Sequence, residues 1–207
     1  MGTQLPARNR VWPLGEIIAA AGRGAWMGGR RHRGRGTRDI VRNHQHKTWI
    51  TCVLSFRGRR VAQWEPTRYT PLFFLDEAVA LAAGHRPCAE CRHRSYTEYR
   101  RLWTETHSGA TPYASEIDSQ LHRERTGEAG HYAAWNRLPD GLFVRTDCGP
   151  AVIAGDRLAV WDRQDNAYRK WRPRPKTGTA TVLTPASTVD IIRAGYPVQI
   201  DDSAAMP

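Results

Sequence analysis

The run Leu72-Phe-Phe-Leu-Asp-Glu-Ala-Val-Ala-Leu-Ala-Ala-Gly-His-Arg-Pro-Cys88-Ala-Glu-Cys91-Arg constrains the fold of this chain more than any other stretch. It predicts a strand end, a short helix from about Asp76 to Ala83, and a stop at Gly84. Acidic residues occupy the helix's first turn and glycine follows its last, as the macrodipole and a left-handed C-cap favour. A Cys-x-x-Cys turn follows, flanked by arginines. Two thiolates spaced by two residues can point at one tetrahedral ion. Arg86, Arg92 and Arg94 around the turn are expected to favour the thiolate form and to face phosphates.

The charge balance extends this reading. The chain carries a formal net charge of +11, and only three of its 31 basic residues are lysines, leaving 28 arginines. Arginine's planar fork grips phosphate bidentately and stacks on bases. DNA is therefore the expected partner. No apolar run is long enough to span a bilayer, and residues 1 to 10 lack the apolar centre of a secretory signal, so the expectation is a cytoplasmic protein. In that compartment Cys52, Cys88, Cys91 and Cys148 are expected as ligands or free thiols, not disulfides.

Along the chain, residues 1–48 read as a basic Gly/Arg-rich segment, 49–135 as a zinc-knuckle and helical part, and 136–207 as a β-rich C-terminal part; all three can belong to one domain. The class is α+β. Residues 22–36, rich in Gly and Arg, read as a mobile loop. Trp49 to Phe56 and the residues after it suggest a hairpin, and 96–103 and 115–125 suggest helices. Short strands are expected at 142–144, 151–153, 158–161 and 179–183. The segment from Trp171 to Lys176 reads as a stiff basic connector. Residues 182–197 echo the strand, helix and Ala-Gly-x-Pro layout of residues 71–87 without the cysteines; two independent uses of a common helix stop are favoured over duplication.

Cys88 and Cys91 are the primary metal ligands, with Cys52, 36 positions upstream on a predicted strand, as the third. His32, His44, His46, His85, His93 and Cys148 are the alternatives for a fourth. The stretch Tyr69 to Cys91 resembles the second half of the metal-binding domain of the Ada alkylation-repair proteins, which implies zinc and a cysteine-rich ligand set. That family has a closely spaced cysteine pair upstream where this chain has only Cys52. His32 is the favoured replacement, because imidazole substitutes for thiolate at zinc. The chain lacks the family's Pro-Cys-His-Arg methyltransferase segment and its helix-turn-helix, which leaves methyl acceptance by Cys52 without support. The remaining sequence resembles an uncharacterised bacterial family.

Three chemistries compete beyond the metal. Pro87-Cys-Ala-Glu-Cys with His122-Arg-Glu124 resembles the zinc nucleobase deaminases in the wrong order, and His44-Gln-His46 is a partial fit to an HNH nuclease. Base excision requires one carboxylate, an aromatic pocket and basic residues. Arg23-Gly-Ala-Trp-Met resembles a loop of alkyladenine glycosylases. Glu16 and Asp39 are the candidate carboxylates, and Arg23, Trp26, Arg30 and Arg31 join the three arginines of the turn as DNA contacts. The expectation is a zinc-stapled protein acting on damaged or modified DNA, with base excision as its leading chemistry. A non-catalytic binding module and a metal-dependent nuclease are the alternatives.

Overall fold

The computed structural model describes residues 6–29, 44–58, 71–127 and 130–205. The described residues build two six-stranded sheets and four α-helices, a mixed α+β architecture. The first sheet contains β1 (Arg8–Val11), β2 (Ile17–Ala19), β3 (Trp26–Gly29), β4 (Ile50–Cys52), β5 (Leu72–Phe74) and β6 (Arg86–Pro87) in the order β2-β1-β5-β3-β4-β6. The second contains β7 (His131–Ala134), β8 (Phe143–Thr146), β9 (Gly149–Ala154), β10 (Arg157–Asp162), β11 (Ala167–Pro173) and β12 (Thr179–Val182), ordered β11-β10-β9-β8-β12-β7.

Helix α1 (Glu77–Ala82) separates β5 from β6. Helices α2 (His93–Trp103) and α3 (Ala114–Thr126) precede the second sheet, and α4 (Ala186–Arg193) follows it. The apolar runs in β9 and β10 do not alternate because the second sheet is covered on both faces. Val144, Ile153, Leu158 and Val160 pack with Tyr99, Leu102, Ile117, Leu121 and Ile191 of the helices. On the other face, Phe143, Val152, Ala159 and Trp161 pack with Val11, Ile17, Leu72, Phe74 and α1. Both cores therefore cross the expected boundary at 135/136.

Strand β3 corrects the reading of residues 22–36 as a loop. It lies inside the first sheet and pairs antiparallel with β4 and β5. Its glycine marks a close approach between strands: a Cβ on Gly28 would sit 2.4 Å from Ile50 O and 2.7 Å from the Phe74 ring. Residues 30–36 lie outside the described residues. Strand β11 replaces the expected connector at 171–173. It is an edge strand, where the ladder tolerates Pro173. Of the expected hairpin, β4 forms its first half, and residues 59–64 lie outside the described residues.

The acidic residues at the start of α1 do more than match its dipole. Asp76, fully buried, caps the helix by accepting from Val79 N at 2.8 Å. It also accepts from Tyr168 Oη at 2.7 Å and Asp201 N at 3.0 Å. Burial outweighs these three donors and raises its carboxyl to about 6. Glu77, equally sequestered, accepts from Arg92 Nη2 at 2.5 Å, Tyr196 Oη at 2.8 Å and Gln199 N at 3.3 Å. The pair thus fastens residues 196–201 to α1. The sequence echo is also visible in the backbone. After α1, Gly84 N bonds Leu81 O and His85 N bonds Ala80 O; after α4, Gly195 N bonds Ile192 O and Tyr196 N bonds Ile191 O. Both glycines have positive φ, 76° and 107°, so both helices end in the same left-handed cap.

Candidate metal centre and adjoining cleft

Strands β4 and β6 run parallel, with Ile50 opposite Arg86 and Thr51 opposite Pro87. Cys52 and Cys88, each one residue further on, come side by side; Cys88 N donates to Thr51 O at 3.0 Å. The turn after Cys88 brings back Cys91, and the three sulfurs lie within 4.8 Å of one another. These three cysteines could hold a metal ion. Cys88 is buried, and Cys52 and Cys91 are half-buried.

The electrostatics of the thiols fit a cation. A hydrogen bond from the Cys52 thiol lowers Cys88 to about 5 against the opposing effect of burial, and the backbone N–H groups of Cys91 and Glu90 assist. Cys52 is raised, chiefly by donating that bond and then by burial, and burial raises Cys91 as well. Without a cation the cluster keeps protons, because three anionic sulfurs repel. A bound ion releases them. The Cys52 thiol first, and the backbone N–H groups of Cys91 and Glu90 after it, therefore stabilise the Cys88 thiolate.

Two of the three turn arginines are not surface groups. Arg86 is buried and gives a bidentate pair to Asp118 of α3, at 2.7 and 3.0 Å. Arg92, also buried, pairs with Glu77 and stacks 4.0 Å from the centre of the Trp26 ring. Both serve packing between elements, which corrects their expected part in contacting DNA. Arg94 and Arg23 are exposed. Trp26 is half-buried and fixed by a bond from Nε1 to Gln199 Oε1 at 2.7 Å, so it does not belong to a mobile loop.

Among the histidines, His85 is fully buried, with Trp49 and Phe74 rings 5.0 and 4.6 Å away. His93 is exposed, with Nδ1 3.1 Å from Ala89 O. His46 lines a cavity of about 370 Å³ beside Cys52, together with Met27 and Ile50. Cys148 is exposed in the β8–β9 turn, where Arg172 Nη2 approaches its sulfur at 3.5 Å. His32, Arg30, Arg31 and Asp39 lie outside the described residues.

A larger cleft of about 560 Å³ adjoins α3 and the start of α4. Glu16 lines it together with His44, Trp49, Arg123, Glu124 and Arg125. The Glu16 carboxylate is half-exposed and meets Arg163 at 3.1 Å. Arg125 stacks on Trp49, 3.7 Å from the ring centre, and donates to Gly84 O at 2.8 Å and Lys47 O at 2.6 Å. Burial lowers this guanidinium to about 10. His122 Nδ1 lies 3.2 Å from Arg125 Nη2, and burial and that neighbouring charge lower His122. Sequence reasoning named Glu16 but missed Trp49 and Arg125, because their meeting depends on α3 packing against the start of β4. No described helix is long and apolar enough to cross a membrane. No protein-family model matches the chain, and neither does any curated protein or solved structure.

Proposed function

We propose that this chain is a zinc-stapled DNA-binding protein that excises damaged or modified bases. Three thiolate donors suit zinc among the common metals, in a tetrahedral site whose role is structural. His32 is the proposed fourth ligand. The net charge of +11, carried almost wholly by arginine, supports a polyanionic partner. The observation that carries the enzymatic part is the position of Glu16 on the wall of a cleft containing Trp49 and Arg125.

In this reading the target nucleotide leaves the stack and enters the cleft. Water adds to C1′ of the sugar as the C1′–N bond breaks, and the base departs with the bonding electron pair and takes up a proton. Glu16 steadies the positive charge that develops on the sugar, while basic side chains around the cleft hold the flanking phosphates. The ion pair between Glu16 and Arg163 favours a second reading, a binding module without catalysis, because half-exposed paired carboxylates are ordinary surface features.

One experiment separates the readings. The purified full chain is incubated with natural and base-modified duplex DNA, with and without alkali. Excision leaves alkali-labile sites that disappear in Glu16→Gln with DNA affinity nearly unchanged. Strand breaks without alkali indicate a nuclease, and intact DNA after a demonstrated binding step indicates a binding module. Full activity in Glu16→Gln removes that residue from the mechanism.

A further inference from the structure

We infer that the cleft between α3 and the start of α4 is a binding site for a phosphate-bearing ligand of nucleotide size, with Arg123 and Arg125 as its cationic wall. Its volume of about 560 Å³ exceeds what a bare phosphate needs and lies in the usual range of small-ligand sites. Its lining is asymmetric in charge. Of its two carboxylates, Glu16 is offset by Arg163, while Glu124 is held by neutral donors, Gln120 Nε2 at 2.6 Å and Ser187 Oγ at 2.8 Å and N at 3.2 Å, and keeps its charge, so Arg123 and Arg125 leave one cation in excess.

The two arginines are not neutralised in this way. Arg125 donates to two backbone carbonyls and contacts the His122 ring, and Arg123 donates to Gln120 Oε1; none of these is an anion. Arg125 Nε is buried with no hydrogen-bond partner among the described residues. The nearby Asp118 charge offsets the burial of this guanidinium only in part and is already paired with Arg86, so an anion in the cleft relieves the remaining cost. His44 and His131 add donors to the same wall, and Leu183 and Ala83 offer apolar surface for a base or sugar. A phosphate joined to a nucleoside matches this mixture of cations, imidazoles and apolar groups.

The inference concerns the cleft of the proposed excision reaction and rests on that reading only where the phosphate is taken to belong to DNA. The test titrates the full chain with a deoxynucleoside 5′-monophosphate and with the same deoxynucleoside lacking phosphate, by calorimetry at constant ionic strength. The monophosphate is expected to bind saturably and at least about tenfold more tightly than the nucleoside. Arg123→Gln, an exposed position whose loss leaves the fold intact, is expected to abolish that preference. Arg125→Gln, checked for folding by circular dichroism, gives a second measure.

Equal affinity for nucleoside and monophosphate, or an unchanged preference in Arg123→Gln, overturns the inference even if the protein binds DNA. Displacement of the monophosphate by duplex DNA identifies the polymer as its source. A monophosphate that binds while DNA does not supports the cleft and defeats the DNA reading.

Discussion

Arg86, on the strand that leads into the Cys-x-x-Cys turn, forms a two-pronged pair with Asp118 in the middle of α3. The two bonds measure 2.7 and 3.0 Å, and both side chains are 5% exposed. The pair joins the metal-side sheet to the helical layer, and Tyr96 lies beside the same guanidinium, its ring centre 5.2 Å away. Removing one partner leaves an uncompensated buried charge. Asp118→Ala is therefore expected to destabilise the protein by about 3–5 kcal/mol in urea unfolding, while its intrinsic DNA affinity stays unchanged once folded. Loss of DNA affinity at unaltered stability would restore Arg86 to the interface.

The three sulfurs predict a metal bound at one ion per chain. Protein purified without chelator is expected to contain stoichiometric zinc by elemental analysis. Cys88→Ser is expected to lose it and to unfold at a lower denaturant concentration, since binding to a structural site contributes directly to folding. Absence of stoichiometric metal, or a Cys88→Ser protein as stable as the parent, contradicts this.

Asp76 predicts an inverted pH effect. Its folded carboxyl titrates near 6, above the ordinary 3.8, so between these values the folded state binds more protons than the unfolded chain. Its contribution to stability is greatest below the unfolded value, falls as pH rises through the window, and is flat above the folded value. The difference across the window is on the order of 1–3 kcal/mol. Unfolding free energies at pH 5 and 7.5 for the parent and Asp76→Asn, compared as a difference, are expected to show this slope only in the parent. A parallel pair of profiles excludes it.

Binding to DNA through exposed arginines predicts a steep salt dependence. The logarithm of the affinity is expected to fall linearly with the logarithm of salt concentration. Arg94→Glu or Arg23→Glu is expected to reduce that slope by about one for each phosphate left without its cation. The weakening should be similar for unrelated sequences. Affinity that is indifferent to salt would assign the net charge to another role.

What the sequence determined by itself is local. The Cys88–Cys91 turn, the acidic first turn of α1, its stop at Gly84 and the helices α2 and α3 depend on residues within one or two turns of each other, so spacing is enough to read them. The overall charge is additive and equally legible. Tertiary structure decided what requires distant segments to meet. Cys52 joins the cysteine turn because β4 and β6 pair in parallel, a register no local pattern encodes. Arg86 and Arg92 look like Arg94 in sequence but are buried against α3 and α1, where Asp118 and Glu77 neutralise them. Trp26 reads as part of a loop because Gly28 and Gly29 have no side chains to show strand alternation. The sheet accepts Gly28 because neighbouring backbone and the Phe74 ring fill the space a Cβ would need. The cleft at Trp49 and Arg125 likewise exists only after α3 packs against the start of β4, since burial and ion pairing depend on the whole chain's packing.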